Sequence, residues 1–189
     1  MKKILILLIF FSIKTFSQEI VEIRDVYVEN NLIYKNSNEK LFTGIIQKKR
    51  RNGHLVFEEK YKNGIILEGN LYFNGKEKRI SEKKIYHSEK PQTISKEIKY
   101  YLNGEIFQIK TYNNSGFKVL LEQFKNGKRI YSCEYLGKKK NGIELGYREN
   151  GTLFHRCEYK NGKKNGKEFC INEKGEKTTW EYKNGKKVK

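Results

Sequence analysis

The chain has 189 residues, no alanine, one proline and a formal charge of +18, with 33% of its residues charged and 37% hydrophobic. So low an apolar fraction excludes a thick closed core. The lack of the best helix former, beside 13 tyrosines and 11 phenylalanines, disfavours a helical bundle and favours strands. A thin antiparallel sheet, wet on one face, fits this composition.

In chain order, Lys2 and Lys3 precede an unbroken apolar run, Ile4 to Phe11, and Thr15-Phe16-Ser17 offers small residues before Gln18. That is the pattern of a secretory signal peptide over residues 1–17, cleaved before Gln18. A spanning helix needs about 20 apolar residues, and the run has about half of that. The chain is therefore expected to be exported to the periplasm or beyond. Taking Lys2, Lys3 and Lys14 from +18 leaves +15 on the exported part.

Residues 18–43 read as a capping hairpin. Val26 and Val28, then Leu32 to Tyr34, form two short strands around Asn30-Asn31, and Asn36-Ser37-Asn38 is a polar turn. From residue 44 to residue 189 the chain is an array of about six repeats. The clearest unit is Gly142 to Gly166, with a short alternating run into Glu149-Asn150-Gly151 and a longer one into Lys160-Asn161-Gly162. Asn-Gly between alternating runs signals a hairpin, because both residues accept the positive φ of a type I′ turn. Two markers give the period. Tyr61, Tyr86, Tyr112, Tyr135, Tyr159 and Tyr182 are spaced by 25, 26, 23, 24 and 23. Gly53, Gly75, Gly104, Gly127, Gly151 and Gly175 are spaced by 22, 29, 23, 24 and 24. Shared periodicity of this length indicates one supersecondary element per unit. The pattern is irregular over 76–97, where Pro91 predicts a loop or an edge, and the tail Lys186 to Lys189 is expected to fray.

These units, of the form GxExxYxENGxLxxxxxYKNGK, and the run Leu32 to Gly44 that leads into them resemble the variant MORN repeats of the bacterial YwqK-type proteins. The resemblance covers about Leu32 to Lys187. It implies an elongated, meandering antiparallel sheet of stacked hairpins, and it carries the family label of antitoxin component of a toxin–antitoxin module. It brings no catalytic motif and no cofactor, and none is expected.

The residues themselves point the same way. Asp25 is the single aspartate, and His54, His87 and His155 stand in unrelated contexts. No metal-ligand or phosphate-loop spacing is present. Alternation places His155, Cys157 and Tyr159 on one strand face, so a Cys/His nucleophile pair is set against a half-buried sheet histidine, which is favoured because no third orienting group is indicated. Cys133 and Cys157 occupy the same slot in consecutive units, two strands or about 9–10 Å apart, beyond disulfide reach. Cys157 and Cys170 flank the turn at Asn161 to Gly166 symmetrically, so a regular hairpin would set them opposite each other. A cross-strand disulfide, allowed in an exported protein, is weighed against two free thiols. By the same arithmetic Cys133 faces Gly146.

Leu153, His155, Cys157 and Tyr159, with Tyr131, Cys133 and Tyr135 before them and Thr178, Trp180 and Tyr182 after, would line one side of the sheet. Tyr131, Tyr135, His155, Tyr159, Trp180 and Tyr182 are the candidate interaction strip. Such a ladder also stabilises a sheet by ~0.2–1 kcal/mol per pair. The lysines are spread over every turn, which reads as solubilising and edge-protecting more than as a patch. The favoured function is an exported, non-catalytic scaffold that binds another protein, with an immunity or antitoxin-like role as its narrower form. The alternative is a basic binder of anionic lipid or polysaccharide in the envelope. Export disfavours nucleic acid as a partner.

Overall fold

The structure is a computed structural model that describes residues 18–188; the expected signal peptide lies outside them. The strands are β1 Ile20–Glu22, β2 Val26–Glu29, β3 Leu32–Lys35, β4 Gly44–Lys49, β5 Leu55–Lys62, β6 Ile65–Tyr72, β7 Ile80–Tyr86 and β8 Ile94–Tyr100. They continue with β9 Ile106–Tyr112, β10 Lys118–Lys125, β11 Lys128–Leu136, β12 Lys139–Tyr147, β13 Leu153–Lys160, β14 Lys163–Ile171, β15 Lys177–Lys183 and β16 Lys186–Lys187. From β4 onward each strand pairs antiparallel with the next, giving one 14-stranded sheet in chain order with β1 added at its beginning; β2 and β3 form a separate hairpin.

The asparagine-glycine turns are of two kinds. At Asn63-Gly64, Asn126-Gly127, Asn161-Gly162 and Asn184-Gly185 both residues have positive φ, as the two-residue hairpin turn demands. At 52–53, 103–104 and 150–151 only the glycine does. There the asparagine Oδ1 accepts the backbone N–H two residues on, from His54, Glu105 and Thr152. These are five-residue loops built on an Asx turn. The same dipeptide therefore serves two loop lengths, chosen by its flanking residues.

The small apolar core lies under the capping hairpin. Phe42, Ile46 and Tyr61 are buried, with Val21, Val26, Ile33 and Ile66 packed on them. The hairpin expected at residues 26–34 is present, but it is joined by a strand that alternation did not indicate. β1 runs parallel to β4, Ile20 beside Ile45, and the Glu19 carbonyl accepts the Ile45 N–H at 2.8 Å. This covers the first edge strand, a site otherwise open to aggregation. The irregularity expected over 76–97 lies in the longer turns on either side of β7, which itself pairs with both neighbours, and Pro91 sits in the loop His87 to Thr93. One other expectation changes: the tail does not fray from Lys186, because Lys186 and Lys187 pair with β15.

Because the strands alternate in direction, alternate turns fall on opposite long edges of the sheet. Turns 50–54, 73–79, 101–105, 126–127, 148–152 and 172–176 share the first edge. Turns 63–64, 87–93, 113–117, 137–138, 161–162 and 184–185 share the second. The periodic glycines mark the first edge, and the periodic tyrosines close the strands that run into the second.

Candidate functional site

The last three hairpins carry the most regular surface, and its geometry starts from a bulge. Cys133 pairs with Glu144, but Tyr135, two residues on, pairs with Lys140, four residues back. The next unit repeats this, with Cys157 against Glu168 and Tyr159 against Lys164. The two extra residues are Asn141-Gly142 and Asn165-Gly166, and the glycines have φ of +110° and +115°, open to few residues other than glycine. On the reverse face Glu134 and Glu158 close each bulge, their Oε2 atoms accepting the N–H of Ile143 at 2.8 Å and of Lys167 at 3.2 Å. On the edge, Asn141 Oδ1 accepts the N–H of Asn161 and Asn165 Oδ1 that of Asn184, both at 3.1 Å. Thr43 does the same for Asn63 at 2.8 Å. Each turn is thereby tied to the unit before it.

The bulge overturns the symmetric pairing of the cysteines. Cys170 lies opposite His155, and Cys157 lies opposite Glu168. Cys133, Cys157 and Cys170 are all free. Counting equally from the turn failed because β14 carries two more residues than β13 across the bulge. For the same reason Cys133 faces Glu144, and Gly146 faces Tyr131. The Cys133 and Cys157 thiols are buried and point at the carbonyls of Glu134 and Glu158. Burial pushes both thiols up from the ordinary range.

The expected strip is assembled. Through the pairings Tyr131–Gly146–His155–Cys170, Cys133–Glu144–Cys157–Glu168–Trp180, and Tyr182 with Gly166 and Lys187, the six residues Tyr131, Tyr135, His155, Tyr159, Trp180 and Tyr182 share one face. Between them stand two features that sequence reasoning missed. The first is a lysine ladder. Lys118 Nζ lies 3.5 Å from the Tyr135 ring centroid, Lys140 4.9 Å from Tyr159, Lys164 4.9 Å from Tyr182 and Lys187 5.7 Å from Trp180. Each such contact stabilises by about 0.5–2 kcal/mol, more as water is excluded. The second is a pair of buried carboxylates, Glu144 and Glu168, each 7% exposed.

Glu144 receives Tyr131 Oη–H and Lys140 Nζ–H. Glu168 receives both Lys164 bonds, at 2.6 and 2.7 Å, and its Oε1 lies 3.1 Å from His155 Nε2. Burial pushes both carboxyls up, yet the net shift is down, because Lys140 with Tyr131 and Tyr159 at Glu144, and Lys164 with His155 and Tyr182 at Glu168, favour the charged form. The flanking phenols move the other way. Desolvation and the neighbouring carboxylate hold Tyr131 and Tyr159 well above the usual phenol range. The signal for this network was in the sequence: Lys-Asn-Gly-x-Glu occurs at Lys140–Glu144 and again at Lys164–Glu168. It was hidden because strict alternation ignores a bulge.

The geometry also decides the role of His155. Its ring turns to Glu168, while the Cys157 thiol turns to the Glu158 carbonyl, so the pair is not arranged as base and nucleophile. Phe154 lies beside His155 over Gly146, at a bulge where Leu153 pairs with Tyr147 and leaves the expected alternation. Among the described residues no cluster of three or more His, Cys, Asp or Glu side chains is placed to hold a metal ion.

The turns add a surface that the sequence reading dispersed. On the second edge of the last three hairpins stand Lys138, Lys139, Lys160, Lys163, Lys183 and Lys186, all exposed, with no acidic residue in the turns or at their flanking strand ends. The first edge of the same hairpins is mixed, Lys125, Lys128, Arg148 and Lys174 against Glu149, Glu173 and Glu176, and Lys125 is ion-paired with Glu149. Lysines spread evenly along the chain are thus gathered on one edge by strand alternation. No protein-family model and no characterised protein matches the chain, so the resemblance to variant MORN repeats rests on the residues quoted above.

Proposed function

We propose that the chain is an exported, repeat-built binding scaffold of the variant MORN kind, whose partner is another protein. One observation carries this reading. The fold spends its residues on surface: beyond the small core under the capping hairpin lies a single-layer sheet, and its last hairpins repeat one ladder of tyrosines and lysines held over the buried carboxylates Glu144 and Glu168. The network that holds the ladder is internally bonded, so the surface is rigid and costs little to order on binding. An antitoxin-like or immunity role is the narrower form of this proposal.

The test is capture from an envelope fraction at mild salt, with the chain as bait and crosslinking to the exposed face. A stoichiometric protein partner supports the scaffold, and recovery of none refutes it. The second reading, an electrostatic binder of anionic lipid or polysaccharide, is favoured by the +15 charge and the lysine edge. It requires vesicle binding that falls steeply with salt; binding equal at low and high salt excludes it.

A further inference from the structure

The geometry points to the second edge of the last three hairpins as the docking site for an extended acidic polypeptide segment that carries a carboxylate at every third residue. This rests on the protein-binding reading and specifies its partner. The argument starts from spacing. Lys139, Lys163 and Lys186 begin β12, β14 and β16, so they recur every second strand, about 9.4–9.8 Å. The turns of this edge are held in contact with one another. Gly162 and Gly185 donate backbone N–H bonds to the carbonyls of Lys140 and Lys164, both at 2.8 Å. The stems of Lys139 and Lys163 run beside those same glycines, 3.7 Å from where a Cβ would stand.

Each turn supplies a pair of cations. Lys160 is registered against Lys163, and Lys183 against Lys186, on either side of an Asn-Gly turn. Lys139, Lys160, Lys163 and Lys183 line one groove with Asn161, Asn165 and Asn184 between them. One carboxylate seats between the two lysines of a turn, and the next must sit one hairpin further on. A polyproline II segment repeats in that distance: three residues per turn at 3.1 Å rise give about 9.3 Å, with every third side chain on one face. The asparagine amides between the lysine pairs suit the carbonyls of such a chain, whose backbone has no internal hydrogen bonds. A nucleic-acid strand places a charge about every 3.4 Å, denser than one per hairpin, and a lipid surface asks for a patch where the structure offers a line.

The experiment measures binding of the purified chain by fluorescence anisotropy to a labelled peptide of repeating Glu-Pro-Pro triplets. The comparison peptide has the same composition with its glutamates in one block. The triplet peptide should bind about tenfold or more tightly than the block peptide, with affinity falling as salt rises. The variant Lys139→Gln/Lys160→Gln/Lys163→Gln/Lys183→Gln should lose about tenfold or more, as removal of several exposed charges from one interface does. Lys128→Gln/Lys174→Gln on the opposite edge should stay within about twofold, and both variants should keep the wild-type circular dichroism because all six positions are exposed. Equal binding of the two peptides removes the pitch argument. Full binding by the quadruple variant removes the edge. Tighter binding to polygalacturonate or to phosphatidylglycerol vesicles, lost in the same variant, gives the edge to another occupant and overturns the proposal. A stoichiometric envelope partner held equally by wild type and quadruple variant keeps the scaffold reading and discards this edge.

Discussion

Replacing Gly166 by alanine probes the bulge that sets the register of the ladder. At φ of +115° an alanine carries backbone strain of about 1–2 kcal/mol. Its Cβ would also collide with the Glu158 carboxylate, coming within 3.0 Å of Cδ. That carboxylate is a flexible side-chain end and can swing away, but it then gives up the N–H of Lys167, a charge-assisted bond. Such bonds contribute about 1.5–3 kcal/mol, and the lower end applies because the Glu158 side chain is 34% exposed. The Gly166→Ala variant should therefore lose about 2–4 kcal/mol. Glu158→Ala alone should lose about 1–2 kcal/mol. Once the carboxylate is absent, alanine at 166 meets the backbone strain and the close Cβ of residue 158, at 3.1 Å, but no longer displaces a bonded carboxylate, so the double variant should be more stable than the sum of the singles by about 1–1.5 kcal/mol. Urea denaturation read by Trp180 is the assay. Trp180 is the single tryptophan, its strand partner Glu168 lies just beyond the bulge, and in a linear array such losses are felt mainly by neighbouring units. Additivity within about 0.5 kcal/mol, or a Gly166→Ala loss below that figure, would refute the account of the bulge.

Three other predictions follow from the same geometry. Glu144 and Glu168 have folded pKa values below the ordinary 4.5, so their contribution is fully present above that pH and is lost as pH falls through the depressed values. Thermal melts should show stability declining below about pH 4.5, and Glu144→Gln/Glu168→Gln should be less stable at pH 7 with a flatter acid limb; an unchanged limb contradicts the network. With a maleimide at neutral pH, Cys170 should label first, and Cys133 and Cys157 only after denaturation, because they are buried with raised thiol pKa values; a Cys157–Cys170 disulfide in non-reducing peptide maps would contradict the register. Phe42→Ala should cost about 3–5 kcal/mol and release the capping hairpin, seen as faster hydrogen exchange over residues 26–35; a loss under 1 kcal/mol would mean that the core lies elsewhere.

The repeat was legible because its two markers obey independent constraints. A glycine is needed wherever the chain reverses with positive φ, and a tyrosine recurs where each strand ends beside the next lysine. Period and hairpin order followed from these alone, as did the face shared by Tyr131, His155, Tyr159 and Trp180. What alternation could not supply was the bulge. Two inserted residues at Asn165-Gly166 leave both flanking patterns intact while shifting Cys170 from Cys157 to His155, so arithmetic about the turn centre fails by two. The buried carboxylates were equally opaque, because a glutamate four residues after a lysine in a Lys-Asn-Gly run looks solvated until a neighbouring strand brings Tyr131 to Glu144 and His155 to Glu168. Charge was misread for a topological reason: one-dimensional spread over the turns says nothing of the edge on which each turn lands. β1 was invisible because its three residues gain their place only from pairing with β4.

The claim on which the rest depends is that hairpins follow one another in a single sheet and return every second turn to the same edge. Pulsed electron–electron double resonance tests it directly, with one spin label at Lys62 and the second at Lys139, Lys163 or Lys186 in a background with the native cysteines replaced. Strands β5 and β12, β14 and β16 lie successively further apart along the sheet at about 4.8 Å per strand. The three distances should therefore lengthen in that order, by up to about 10 Å at each step. Equal distances, or a shorter separation to Lys186 than to Lys139, would mean that the array folds back on itself and that no continuous lysine edge exists.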